Sequence, residues 1–119
     1  DLKFAAQKTL DAAKRKLELD SADSQACLEC ATALVYLGRN HESLSMVGRA
    51  VELNPTDRIV IYNSACVYAT VGETDLALDS LEKMTGTGSQ NLDWMDNDGD
   101  LDSLREHPRF KQLMKRLRK

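Results

Sequence analysis

Lys16-Leu17-Glu18-Leu19-Asp20-Ser21 and Ala50-Val51-Glu52-Leu53-Asn54-Pro55 carry nearly the same message 34 residues apart. The offset holds elsewhere: Ala31 recurs as Ala65, Leu34 as Tyr68, Gly38 as Gly72, Val47 as Leu81, and the helix-starting Asp23 as Asp57. A period of this length marks a chain of stacked supersecondary units, because each unit alone leaves an apolar face that only a neighbour covers. Function is then expected on the surface that the stack creates.

Working outward, residues 2–19 place Phe4, Ala5, Leu10, Ala13 and Leu17 at helical spacing and predict one helix. Asp23 caps a second helix with Cys27, Cys30, Ala31, Leu34, Val35 and Leu37 on one apolar side, ending at Gly38. Asn40 is expected to cap a third, whose inner face is Leu44, Val47, Ala50 and Val51 and which closes at Asn54 and Pro55, since proline lacks the amide a helix needs. The pair then repeats. Asp57 caps a helix bearing Ile61, Ala65 and Tyr68 up to Gly72, and Thr74 caps one bearing Ala77, Leu78, Leu81 and Met84. From residue 85 to residue 90 the chain turns to Gly86, Thr87, Gly88 and Ser89, which ends the regular array. Residues 91–106, with Trp94, Met95, Leu101 and Leu104 among aspartates, predict one or two short helical turns. Pro108 then opens a last helix striped with Phe110, Leu113, Met114 and Leu117.

The chain has 119 residues, 42% of them hydrophobic, which suits one soluble domain with a modest core. Its formal net charge of -3 offers no global field for nucleic acid, and no apolar run approaches the roughly 18 residues that span a bilayer. Three cysteines, an odd number, favour a reducing compartment over a disulfide framework, so a cytoplasmic location is expected. The first residue, Asp1, already lies inside a helical pattern, which suggests a piece of a longer chain whose first helix is half of a hairpin and leaves Phe4 and Leu10 uncovered.

These residues resemble the tetratricopeptide repeat. That pattern asks for small residues where the two helices of a hairpin cross (Ala31, Ala65), a bulky one a turn later (Leu34, Tyr68) and a glycine between helices (Gly38, Gly72). It then asks for a small residue (Ser43, Ala77), a bulky one (Val47, Leu81), another small one (Ala50) and a closing proline (Pro55). Met84, Ser89, Cys30, Ser64 and Lys16 depart from it. The resemblance implies an all-α fold, a tetratricopeptide-type superhelix of stacked antiparallel hairpins with a C-terminal capping helix. Residues 1–119 then form one domain: 2–22 as the second helix of a truncated repeat, 23–56 and 57–90 as repeats, and 91–119 as acidic linker and cap. The tail, Trp94 followed by Asp98-Gly99-Asp100-Leu101-Asp102-Ser103-Leu104-Arg105, Pro108-Arg109-Phe110 and Leu113, is similar to the closing segment of such regions in bacterial multidomain regulators. A chain end near Lys119 and a larger regulatory or signalling parent are what that likeness implies.

Reactive chemistry finds little footing. Cys27-Leu28-Glu29-Cys30 has redox or zinc spacing, but both thiols fall on the apolar side of a repeat helix, and His41 and His107 are the only imidazoles, so no four-ligand zinc set is expected. The run Asp96-Asn97-Asp98-Gly99-Asp100-Leu101-Asp102 invites calcium, yet with Gly99 in the sixth place Trp94 occupies the first, where a carboxylate is needed. Arg109, Lys111, Lys115, Arg116, Arg118 and Lys119 make a cationic end without an acidic residue, which suits a helix C-terminus and a solvated face. No triad, nucleophile elbow or phosphate loop is visible, so neither enzymatic activity nor a cofactor or metal is expected.

Stacked hairpins leave a concave surface lined mainly by the first helix of each unit, where a peptide or partner helix docks. The pattern projects Leu28, Thr32, Val35 and Tyr36 beside Tyr62, Asn63, Cys66 and Thr70 as that groove. Tyr36 and Tyr62 join apolar area to a hydroxyl at low conformational cost, as binding hot spots do. One subclass of the family grips a C-terminal carboxylate with lysines and asparagines; here only Asn63 matches, Leu28 and Thr32 stand in the other places, and a ligand held by apolar and neutral polar contacts is expected. The expected partner is a protein or peptide, with no nucleic acid and no membrane. Homodimerisation is the alternative, and a thiol or metal sensor built on Cys27 and Cys30 a third reading.

Overall fold

Helix starts fall where the sequence offers an oxygen to exposed amides. In a computed structural model, which describes residues 1–84 and 98–117, the Asp1 carboxylate accepts from the Lys3 and Phe4 amides to open α1 (Leu2–Leu19). Asp23 accepts from Ala26 to open α2 (Ser24–Tyr36), and Asp57 accepts from Ile59 and Val60 to open α4 (Arg58–Val71). Such caps contribute about 1 kcal/mol each by satisfying donors that no preceding turn can reach. The expectation for the second helix of each pair is corrected. Asn40 and Thr74 are the first residues of α3 (Asn40–Leu53) and α5 (Thr74–Met84), and at the α3 start Arg39 holds the cap position with no side-chain bond. The Arg39 side chain instead grips Glu42 through two hydrogen bonds of 2.7 and 2.6 Å.

The 34-residue offset of the sequence is an offset of the backbone too. The first residues of α2 and α4 are 34 apart, as are those of α3 and α5, while α1 and α3 end 34 apart. Both turns within the pairs repeat the same bonds: Arg39 N donates to Leu34 O and Glu73 N to Tyr68 O, each at 2.8 Å. Gly38 and Gly72 stand at φ of 76° and 89°, the left-handed region that a side chain disfavours, so glycine is the residue that lets each chain reverse after one helix.

Reversal after so short a connection makes α2 and α3 antiparallel. The Ser43 hydroxyl, early in α3, donates to the Ala31 carbonyl at 2.7 Å, while Arg49 and Asn54, late in α3, reach Ser21 O and Ser24 Oγ at the start of α2. Fully buried Ala31 and Ser43 meet at the crossing, and 34 residues on Ala65 and Ala77 are equally buried. Helix α4 leans on both members of the first pair: Val67 packs with Ala31 and Val47, and Val60 with Cys27, Leu28 and Ala50. Helix α1 covers the other side of α2, where Ala6, Leu10 and Ala13 meet Cys30, Ala33 and Leu34. Leu10 is therefore fully buried, against the expectation that it lies uncovered, because the opposite face of α2 is enough to close over it; Phe4, one and a half turns earlier, does stay exposed.

After the undescribed stretch the chain returns to α4. A 3-10 helix, Gly99–Leu104, and then α6 (Pro108–Leu117) bring Leu101, Leu104, Phe110, Leu113 and Met114 into one core with Ile61, Ala65, Leu78 and Leu81. Arg109 fastens α6 to α5 through Asp79 at 2.8 Å and Glu82 at 3.0 Å, which occupies one cation of the basic end. Among the described residues there is no strand, and no described helix is long and apolar enough to cross a membrane. Residues 85–90, Trp94, Met95, Asp96, Arg118 and Lys119, together with the side chain of Leu117, lie outside the described residues.

Candidate functional site

Side chains on one face of α2, and those on the matching face of α4 one unit later, line one open cavity of about 370 Å³. Leu28, Thr32, Val35 and Tyr36 line it from α2, and Asn63, Cys66, Val67 and Thr70 from α4. This follows from local geometry: residues three and four apart share a helix face, and the 34-residue offset turns the two helices to the same hand. Tyr36 is 57% exposed, so its ring stands at the rim. Leu28 and Cys66 are buried in the floor. The Thr70 hydroxyl donates to Cys66 O at 2.8 Å, back along its own helix.

Tyr62 is the projected groove residue that the structure places elsewhere. It is 5% exposed, part of the core beneath α4, and its hydroxyl donates to Asp98 Oδ2 at 2.7 Å. One position from Asn63 on a helix is a rotation of about 100°, enough to carry a side chain from the groove face to the core face. Burial first, and then the Asp98 carboxylate, push its phenol above the ordinary value, so it stays a donor. It acts as a strut that positions Asp98.

Several lining residues were not projected. Thr9 from α1 and Gln25 and Glu29 from α2 complete one flank. Gln25 and Glu29 lie one turn from Leu28 and Thr32, so helical spacing alone was a usable signal for them. Asp98 and Asp100 carried no such signal, since they reach the groove through the long return of the chain to α4. Their arrival corrects the expectation of a neutral site: three carboxylates, Glu29, Asp98 and Asp100, border the cavity.

The Cys66 sulfur and carboxylate oxygens of Asp98 and Asp100 lie within 4.8 Å of one another, a spacing that metal ligands also show. Burial, followed by the negative charges of Asp98 and Asp100, pushes the Cys66 thiol well above its ordinary value. The Cys66 Sγ sits 3.6 Å from Asp98 Oδ2, the reach of a thiol hydrogen bond to that carboxylate. Cys27 and Cys30 are likewise buried and free, each thiol raised chiefly by burial.

Chemical inertness of these thiols is an expected result. Above the ordinary thiol value the unfolded chain loses protons that the native state keeps, so stability is complete below that value and declines as the pH rises past it. A thiol-specific chromophore at pH 8 should label none of the three cysteines of the native protein within minutes and all three after denaturation. Rapid labelling of a Cys27 or Cys30 thiol in the native state would restore the sensor reading.

No protein-family model matches the chain, and no curated protein matches it.

Proposed function

We propose that this chain is a tetratricopeptide-type repeat module that binds a segment of a protein partner in its concave groove and performs no catalysis itself. The observation that carries this reading is a coincidence of two independent constructions. The 34-residue pattern projects eight side chains onto one inner surface, and seven of them, Leu28, Thr32, Val35, Tyr36, Asn63, Cys66 and Thr70, line a single cavity. A second support is the doubled architecture: hairpins that repeat the same caps, turns and crossings build a face wider than one helix, which a side chain run of a peptide can follow. The resemblance of the tail to that of bacterial regulators adds the proposal that the module serves a larger regulatory protein.

Selection of a random-peptide display library on the full chain tests the reading. Peptides that bind the unaltered protein should lose at least tenfold in affinity when Thr32, an exposed residue of the cavity wall, is changed to tryptophan, with an unchanged melting curve. Binders indifferent to Thr32→Trp would end it. Self-association rests on one further observation, the exposure of Leu2 and Phe4 at the start of α1 (74% and 62%), and sedimentation over a hundredfold range of concentration reads it separately.

A further inference from the structure

The carboxylates of the groove are unevenly compensated. Glu29 is held by Lys16 at 3.0 Å. Asp98 and Asp100 have no ion pair among the described residues: Arg105, the nearest cation along the chain, puts Nε on Asp102 at 2.9 Å and Nη2 on the main-chain oxygen of Asp98. No lysine or arginine is among the described residues that line the cavity. The remaining wall is apolar or neutral, with Leu28, Val35 and Val67 facing the same space.

We propose that the groove takes up a basic segment of a protein partner, its apolar side chains against Leu28, Val35 and Val67 and a lysine or arginine at the end bounded by Asp98 and Asp100. The inference rests on the groove reading above and specifies its occupant by charge. Asp98 is fixed for the task, one oxygen accepting from the Asp100 amide at 2.9 Å and the other from the Tyr62 hydroxyl at 2.7 Å. Oxygens of Asp98 and Asp100 within 4.8 Å of each other suit one ammonium or guanidinium group bridging both, since each N···O contact of about 2.8 Å lets a single nitrogen span that gap. Burial, then the charges of Asp98 and Asp102, raise the Asp100 carboxyl, so the free protein carries negative charge there at a cost that an incoming cation relieves.

The test uses the full chain and the peptides selected on it. Binders that are lost on Thr32→Trp should be rich in lysine or arginine. The tightest of them, labelled and followed by fluorescence anisotropy, should bind Asp100→Asn about fivefold more weakly and Glu18→Gln, a surface change outside the groove, equally well. Replacing the peptide's cation by glutamine should cost more on the unaltered protein than on Asp100→Asn, where only Asp98 is left to meet it, the coupling that marks a shared contact. Raising salt from 0.05 to 0.5 M should weaken binding severalfold. Neutral or acidic binders that still depend on Thr32, or a peptide indifferent to Asp100→Asn, would overturn the basic occupant while leaving the groove reading intact. An absence of binders, or binders blind to Thr32→Trp, would overturn both. Saturable uptake of zinc chloride alone that Asp100→Asn abolishes and that blocks the peptide would give the carboxylates to an ion and overturn the proposal.

Discussion

Leu113→Ala should destabilise the protein by about 2–5 kcal/mol, a large share of the roughly 5–15 kcal/mol that holds a domain of this size. Leu113 is fully buried, and it belongs to the single cluster in which α4, α5, the 3-10 helix and α6 meet. Removing its isopropyl group deletes the transfer energy of three methyl-sized groups and leaves a hole among closely packed helices, which little collapse can repair. The effect should appear as a lower urea midpoint with one transition. Lys115→Ala, on the exposed side of the same helix, should move the midpoint by no more than a few tenths of a kcal/mol. Equal and small shifts from both variants would mean that α6 is an ornament on the fold rather than part of its core, and the docking of Asp98 in the groove would lose its support.

Ala31→Leu should cost about 2–6 kcal/mol, by two effects that act together. Ala31 has no exposed surface and lies between Val47 of α3 and Val67 of α4, so three extra carbons have nowhere to go without forcing helices apart. Overpacking of that kind costs about 1–3 kcal/mol. Separation of α2 from α3 also strips the 2.7 Å bond from the Ser43 hydroxyl to the Ala31 carbonyl, leaving a buried donor unsatisfied for about another 1–3 kcal/mol. Ser43→Ala isolates the second effect without an orphaned donor and should cost about 1 kcal/mol, since the carbonyl keeps its helical partner. The second hairpin already carries alanine in that place, at Ala77. Thermal melts of the two variants side by side decide the matter. If Ala31→Leu is as mild as Ser43→Ala, the helices do not cross closely and the repeat packing is wrong.

Much of the helix layout was legible because it depends on neighbours in the chain. Asp23 and Asp57 read as caps, Gly38 and Gly72 as reversals and Pro108 as a helix start, and each is satisfied within a few residues by the backbone itself. Asn40 misled because a good capping residue one position late is still a tolerable first helical residue, and no local rule separates the two by one place. The groove was legible to the same depth. Thr32, Tyr36, Asn63 and Thr70 follow from a helix face repeated at a fixed offset, whereas Tyr62 needed knowledge of what lies beneath α4. Its hydroxyl finds a partner 36 residues away, beyond any pattern in the chain.

By itself, then, the amino-acid order determined an all-helical chain with two matching helix pairs and the inner face they share, because caps, glycine reversals and helical periodicity are short-range preferences that a repeat states twice. Tertiary structure alone decided that Leu10 is covered, that Tyr62 is a strut and that the groove has an acidic end. Those outcomes depend on which surfaces meet across the fold, α1 on the far side of α2 and the non-repeating segment on α4, and such long-range meetings are set by the packing of the whole core, on which a local sequence pattern has no purchase.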